Sequence, residues 1–455
     1  MGKFMNLRSS FCGVFICVIC AWSFLALSNE SLETLPEDVG MSSERLSRID
    51  NYINKQINNR EFSGATMIIG RRGEVVYKKA FGLADIEENK PMRTDTMFRL
   101  CSSSKMVAAV AGMILWEEGL FDLLDPVSKY LPEVKDLTVV EYDVNGSGNY
   151  EVVPAKTPLL VHHGFNFTSG LTYIGSNPVI DGFLRGTPAS HNGFYPYDFD
   201  SIEYLNERAK LPLLNHPGEQ FNYGRDLQIV AALVEKLTGK SFNDFLKERI
   251  FDKLQMNDTH FFVPEDKMHR LTSLYLRDGD QLIKAEEGQT YKDDKYGIAI
   301  ELDPYWFRAS KNPQKFAAAG EGLVSTVEDY ARFLQMMVNG GKLNDSRILS
   351  PKTIEFMMAN HIEGLECCYQ NMAVGMGGYG WGLGTSVLLS NSGGSIGTPM
   401  GTGKGGQYTW GGWMGTIEYV DPEEELFFTF MSQKLPLLQQ PTGKIKDLVY
   451  QAIID

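Results

Sequence analysis

Apolar residues recur along this chain with two periods, and the switches between them outline its elements. From Ser43 to Arg60, Leu46, Ile49, Ile53 and Ile57 fall on one helical face. From Phe62 to Ala80 the pattern turns strand-like. Ala65-Thr66-Met67-Ile68-Ile69 and Val75-Val76-Tyr77 flank Gly70-Arg71-Arg72-Gly73, which predicts a β-hairpin. Thr94 to Leu100 then leads into the apolar run Met106 to Trp116, closed by Glu117-Glu118-Gly119. That run has no proline and is rich in Ala and Met, so it predicts a buried helix starting near Ser102, with Gly119 as its stop.

The middle of the chain changes character. Asp125-Pro126 and Leu131-Pro132 are breaks, and Asp136 to Val153 is a polar insertion tipped by Asn145-Gly146-Ser147-Gly148, a small surface hairpin. Ser176 to Phe199 is rich in Gly, Asn, Pro and aromatic residues and reads as a long loop beside a cleft. Pro217 to Tyr223 is a turn that opens onto a helix, Leu227 to Gly239, followed by others over Ser241–Leu254, Val327–Asn339 and Pro351–Asn360. Phe316 to Thr326 contains a small-residue run, Ala317 to Leu323, that suits tight packing near a site. Strand patterns return at Gly377–Leu389, around Trp381, and at Gln407–Val420 with Glu425–Ser432, a hairpin about Asp421-Pro422. Gln439 to Ile454 closes the chain as a helix. Strands at both ends and helices between them predict an α+β fold. One lobe is built from residues 29–104 and 317–455, with a mainly helical domain, 105–316, inserted.

Composition adds limits. The chain has 455 residues, 43% of them hydrophobic, which is enough for a large core. A net charge of −14 argues against nucleic acid and anionic membrane surfaces as partners. Lys3 and Arg8 precede the apolar run Phe11 to Leu27 and the small-residue site Ala26-Leu27-Ser28. This is the pattern of an export signal over residues 1–28, cleaved near Ser28, with an uncleaved anchor as the alternative. A periplasmic or secreted protein with no membrane insertion after cleavage is expected. Cys12, Cys17 and Cys20 fall inside that segment, and Cys101, Cys367 and Cys368 are too few and scattered for a disulfide framework. His162-His163, read as neighbours on a strand, would point to opposite faces, so no metal site is expected there. The Gly-rich stretch Gly393 to Gly406 lacks the phosphate-loop spacing, since Thr398 stands where glycine is needed and Gly405 follows Lys404. It reads as a flexible loop, and no cofactor is expected.

The candidate chemistry lies at the start of the buried helix. Ser102 and Lys105 are three residues apart and share a helical face. A serine hydroxyl is a weak nucleophile until a neighbouring base takes its proton. A lysine can take it only when neutral, a state that burial favours. Free N–H groups at the helix start favour a developing oxyanion. On local grounds the register stays open: Ser103 or Ser104 can be the cap, and Lys105 a solvated side chain.

Several blocks in order and spacing settle that register. Phe98-Arg99-Leu100-Cys101-Ser102-Ser103-Ser104-Lys105, Leu123 to Pro132, Thr168-Ser169-Gly170-Leu171, Pro217-Gly218-Glu219 through Tyr223, and Gly320 to Thr326 resemble the serine β-lactamase and D,D-peptidase superfamily. The resemblance runs from about residue 43 to 455. It implies an antiparallel sheet flanked by helices, with Ser102 as nucleophile and Lys105 and Tyr223 as its acid–base pair. It also implies an oxyanion hole from the N–H groups of Ser102 and Trp413. The third motif, Trp410-Gly411-Gly412, resembles that of the family VIII carboxylesterases, which are similar to class C β-lactamases, as does the ending Phe430 to Pro436. Two departures stand out from the wider superfamily. Tyr223-Gly224-Arg225 replaces Tyr-x-Asn, and Trp410 replaces a cationic residue. Both point away from β-lactams and toward neutral esters, with Trp410, Gly411, Gly412 and Arg225 as substrate contacts. Arg225 either restores a cation or forms a surface ion pair. The expectation is a secreted serine carboxylesterase acting on a small-molecule ester through an acyl-Ser102 intermediate. The alternatives are a β-lactamase or D-Ala-D-Ala-type peptidase, a transacylase, or a non-catalytic binding protein on the same scaffold.

Overall fold

An eight-stranded antiparallel sheet draws its strands from both ends of the chain. Across the sheet they run Tyr379–Trp381, Ser386–Leu388, Tyr408–Gly412, Thr416–Asp421, Leu426–Met431, Gly64–Arg71, Glu74–Asp85 and Lys90–Pro91. This is seen in a computed structural model that describes residues 34–143, 148–173, 177–185, 187, 199–293, 298–302, 307, 315–365, 378–389, 406–435 and 442–455. The expected export signal, the tip residues 144–147, Cys367, Cys368 and the Gly-rich residues 393–405 lie outside them.

The two ends meet where Gly64–Arg71 pairs with Leu426–Met431, Thr66 facing Met431 and Ile69 facing Phe428. All eight residues of Gly64–Arg71 are buried, because helices cover both sheet faces there. Met67 and Ile69 pack with Phe428 and Phe430 under the helices Ser43–Asn58 and Thr442–Gln451, through Leu46, Ile49, Ile53, Ile445 and Val449. Ile68, Phe427 and Met431 point the other way, into the main core with the helices Ser104–Glu117 and Val327–Val338. Side chains alternate across a strand, so one sequence period feeds two cores. Among the described residues no helix is long and apolar enough to cross a membrane.

The elements correct the sequence reading in places. The expected long loop holds a helix, Pro178–Leu184, whose start is capped by the Asn177 side chain accepting from the N–H groups of Val179 and Ile180. Asn-Pro at cap and first position is a helix-start signal that the Gly-rich surroundings obscured. His162 and His163 lie on the helix Val161–Asn166, not on a strand. There His162 Nε2 is 3.3 Å from Nδ1 of His361, and His163 Nδ1 accepts from the N–H of Leu160. Gln407–Val420 is two strands with a turn at residues 413–415, where Gly415 has φ +105°. After Leu254, where the pattern predicts no element, Tyr275–Asp278 and Gln281–Lys284 form a hairpin beside Lys434–Leu435.

The helix predicted near Ser102 begins at Ser104, after one 3-10 turn, Cys101–Ser103. That turn is fixed from two sides. On one, strand Met97–Arg99 pairs with Val324–Thr326, Leu100 N–H donates to Leu323 O at 2.8 Å, and Tyr330 OH donates to Ser103 O at 2.7 Å. On the other, Thr416 Oγ1 donates to Leu100 O at 3.0 Å and accepts from Gly412 N–H at 3.1 Å. Cys101 between them has φ +47°, a left-handed conformation that costs a non-glycine residue energy and persists only under such restraint. Strand Tyr408–Gly412 approaches so closely that a Cβ on Gly412 would lie 2.0 Å from Leu100 O.

Under the turn, Ser103 Oγ lies 2.8 Å from Thr416 Oγ1 and 2.6 Å from Glu418 Oε2. Ser103 Oγ donates to the Glu418 carboxyl, while Thr416 Oγ1 donates to Leu100 O. Burial pushes the Glu418 carboxyl up to about 8, against the Ser103 bond and the charge of Lys105.

Two outcomes are expected. Unfolded, the Glu418 carboxyl ionises near ~4.3, so between that pH and about 8 the folded state holds the extra proton and its stability falls as pH rises. Glu418→Gln should remove this slope: urea unfolding at about pH 5 and about pH 8 should show the variant gaining on wild type at the higher pH. A pH-independent difference would contradict the assignment. Gly412→Ala should cost about 1–3 kcal/mol in the same assay, and a neutral change would mean the sheet and turn are not locked together.

Candidate active site

Three separate segments converge on the Ser102 hydroxyl. Ser102 sits in the 3-10 turn, Lys105 in the first turn of the following helix, and Tyr223 in the loop before helix Leu227–Thr238. The tyrosine loop is held by Asn222 N–H donating to Phe167 O at 2.8 Å and by the Asp226 carboxyl accepting from both N–H and Oγ of Ser169. Burial pushes the Asp226 carboxyl up to about 8, opposed by the Ser169 bonds and Lys105. The phenol ring stacks on Phe167, with centroids 5.6 Å apart and planes 9° from parallel.

Tyr223 OH donates to Ser102 Oγ at 2.8 Å, and Lys105 Nζ donates to it at 3.2 Å. Lys105 is fully buried and makes two more bonds, to Tyr173 OH at 3.0 Å and Gly320 O at 2.9 Å. Its Nζ lies 4.8 Å from the Tyr223 ring centroid. Trp410 closes the other side: its indole N–H donates to Tyr223 OH at 3.0 Å, and its ring packs edge-on against Trp381 at 4.7 Å. The Tyr223 oxygen thus accepts from Trp410 while it faces Ser102, the arrangement needed to receive the serine proton.

The remaining predicted residues fall into place differently. Trp410, expected as a substrate contact, is a hydrogen-bond donor to Tyr223 OH. Gly411 and Gly412 lie in the ladder opposite Ile417 and Thr416, and Gly412 serves the close contact with Leu100. Trp413 follows in the turn, its ring beside the cluster of Cys101, Leu274 and Leu435 and edge-on to Tyr291 at 6.3 Å. Arg225 does form an ion pair, but a buried one: its Nε is 3.6 Å from Glu321 Oε1, and both side chains are about 10% exposed. Its guanidinium sits over the rings of Tyr173 at 5.7 Å and Tyr204 at 5.8 Å. The pair is buried because Glu321, in the small-residue run, is itself buried and gives Arg225 a partner in the core.

Tyr173 and Glu321 were not legible as site residues. Tyr173 stands two positions beyond the Thr168–Leu171 block and carries no periodic or motif signal. Glu321 lies within the Gly320 to Thr326 block, where its flanking glycines mark a packing run rather than a charged site. Among the described residues, no group of three or more His, Cys, Asp or Glu side chains is arranged to hold a metal ion.

The family model described as Beta-lactamase matches residues 49–448. The Esterase EstB of Burkholderia gladioli is 27% identical over 381 residues, covering 82% of this chain and 87% of that protein. The ML-236A carboxylate methylbutanoyltransferase of Penicillium citrinum is 23% identical over 334 residues, 72% of each chain. Among solved structures, EstCE1, described as a hydrolase with promiscuous acyltransferase activity, superposes with a TM-score of 0.71 at 22% identity, covering 90% of this chain and 99% of that one. The simvastatin synthase LovD of Aspergillus terreus gives 0.70 at 22% identity, covering 91% and 98%. With its antiparallel sheet, flanking helices and Ser-x-x-Lys turn, the chain belongs to the Beta-lactamase family, in the serine β-lactamase and transpeptidase superfamily of hydrolases and acyltransferases.

Proposed function

We propose that this protein cleaves carboxylic esters through an acyl-enzyme on Ser102. The observation that carries the reading is the 2.8 Å contact of Tyr223 OH with Ser102 Oγ, with Lys105 Nζ on the same oxygen. Ser102 Oγ attacks the ester carbonyl carbon while its proton passes to the Tyr223–Lys105 pair. Which of the two holds that proton is a property of the pair, not of either residue. The tetrahedral intermediate collapses, the bond to the alkoxy oxygen breaks, and the same proton leaves with the alcohol. Water then adds to the acyl carbon, gives its proton to the pair, and releases the acid as Ser102 is reprotonated. The backbone N–H groups of Ser102 and Trp413 form the oxyanion hole in this reading, supported by the Gly412–Leu100 contact that joins their two segments. Such donors are worth about 3 kcal/mol each in the transition state.

Neutral esters, rather than β-lactams, fit the departures from the superfamily pattern. Trp410 stands where a cation would bind a carboxylate, and its N–H is committed to Tyr223. Arg225 is committed to Glu321. These features and the Trp410-Gly411-Gly412 motif support a reading as a carboxylesterase of the family VIII kind, and the likeness to Esterase EstB supports it too. A second reading keeps the same acyl-enzyme and replaces water by an acceptor alcohol. The methylbutanoyltransferase relative favours it.

Ser102→Ala should reduce p-nitrophenyl butyrate turnover to background. Tyr223→Phe should lower kcat by about 10²–10⁴-fold with KM little changed. Adding an acceptor alcohol and following new ester separates transfer from hydrolysis. Retained turnover in Ser102→Ala would refute the nucleophile.

A further inference from the structure

An amino nitrogen on a flexible chain rotates freely unless its partners fix it. Lys105 Nζ has three tetrahedral positions beyond Cε, and the site offers an oxygen for each: Gly320 O, Tyr173 OH and Ser102 Oγ. The carbonyl of Gly320 only accepts. Tyr173 OH has one proton, and that proton is donated to Glu321 Oε2 at 3.1 Å. A carboxylate accepts only, so Tyr173 must turn a lone pair to Lys105. Two protons of Lys105 are thereby directed away from Ser102, and the remaining position, proton or lone pair, faces the nucleophile. This holds whichever protonation state the amine has.

We propose that Glu321 is a positioning residue that, through the Tyr173 hydroxyl, sets the rotation of the Lys105 amine and so aims it at Ser102. Glu321 and Gly320 are adjacent in one turn, closed by Glu321 N–H and Gly322 N–H both donating to Ala318 O. One backbone unit therefore supplies both anchors of the amine, one directly and one through a hydroxyl. A Cβ on Gly320 would come within 3.2 Å of Lys105 Nζ, so glycine keeps this turn close to it. Arg225 pairs with Glu321 at 3.6 Å and covers the Tyr173 ring, which fixes the carboxylate in turn. The residue that replaces the motif asparagine thus supports the lysine from one shell further out. Asp226 and Glu418, the other buried carboxyls whose charge reaches Lys105, are bonded to Ser169 and Ser103 and make no such chain to its amine.

The proposal rests on Ser102 being the nucleophile, and its test separates the two claims. A fluorophosphonate probe reports Ser102 reactivity directly, and p-nitrophenyl butyrate gives kcat and KM. Glu321→Gln, whose amide can donate to Tyr173 and reverse its polarity, and Tyr173→Phe, which deletes one oxygen, should each lower the labelling rate and kcat by about tenfold to a hundredfold with KM unchanged. The double variant should lose no more than the worse single one, because both break one chain. Wild-type labelling that is absent would overturn the nucleophile and this role together. Wild-type labelling with unaltered Tyr173→Phe, or with losses that multiply in the double variant, would overturn the positioning role alone. If Glu321→Gln fails to fold, as judged by circular dichroism, the Tyr173→Phe result decides by itself.

Discussion

A lysine amine with no access to water must find every hydrogen-bond partner inside the protein, and the rest of this site follows from that requirement. Lys105 meets it with a carbonyl, a phenol and the Ser102 hydroxyl. An uncompensated buried amine would cost several kcal/mol, so the segments that carry these oxygens are held in place as strictly as the core itself. The turn before the helix is pinned by Leu323, Tyr330 and Thr416, and the tyrosine loop by Phe167 and Ser169. Preorganisation here is a consequence of burial: the groups that would react are the groups that satisfy one another in the resting fold.

Much of this was written in the local pattern. The hairpin at Gly64–Asp85 and the helices at Ser43–Asn58 and Ser104–Glu117 are long, periodic and marked by turn residues at their ends, and they form where the pattern puts them. Ser102, Lys105 and Tyr223 were legible because the blocks shared with the superfamily fix their register. What was not legible depends on contacts distant in sequence. Nothing near Tyr173 announces that its hydroxyl will lie on Lys105, 68 residues earlier. Trp410 reads as a substrate contact until its N–H is seen on a phenol 187 residues away. Arg225 reads as a replacement cation or a surface ion pair until Glu321 is brought beside it. The helix Pro178–Leu184 was missed for a different reason: its cap is local, but the glycine- and proline-rich neighbourhood outweighed two residues of signal.

The departures from the superfamily pattern make physical sense together. Replacing a cation by Trp410 removes a charge that would compete for the Tyr223 oxygen and substitutes a neutral donor at 3.0 Å. Replacing asparagine by Arg225 introduces a charge that the core tolerates only with a counter-ion, which Glu321 provides. Neither change disturbs the contact of Tyr223 with Ser102. Both alter what surrounds the reacting atoms, which is where substrate preference resides in a fold that serves many reactions.

The central claim is that one hydroxyl, at Ser102, carries the acyl group. The most direct measurement is peptide mapping by mass spectrometry after acid quenching of wild-type protein during turnover of a p-nitrophenyl ester, with the Tyr223→Phe protein in parallel. The account predicts the ester's acyl mass on the peptide containing Ser102, at that serine. Ester consumption with Ser102 unmodified and the acyl group on another side chain would contradict it.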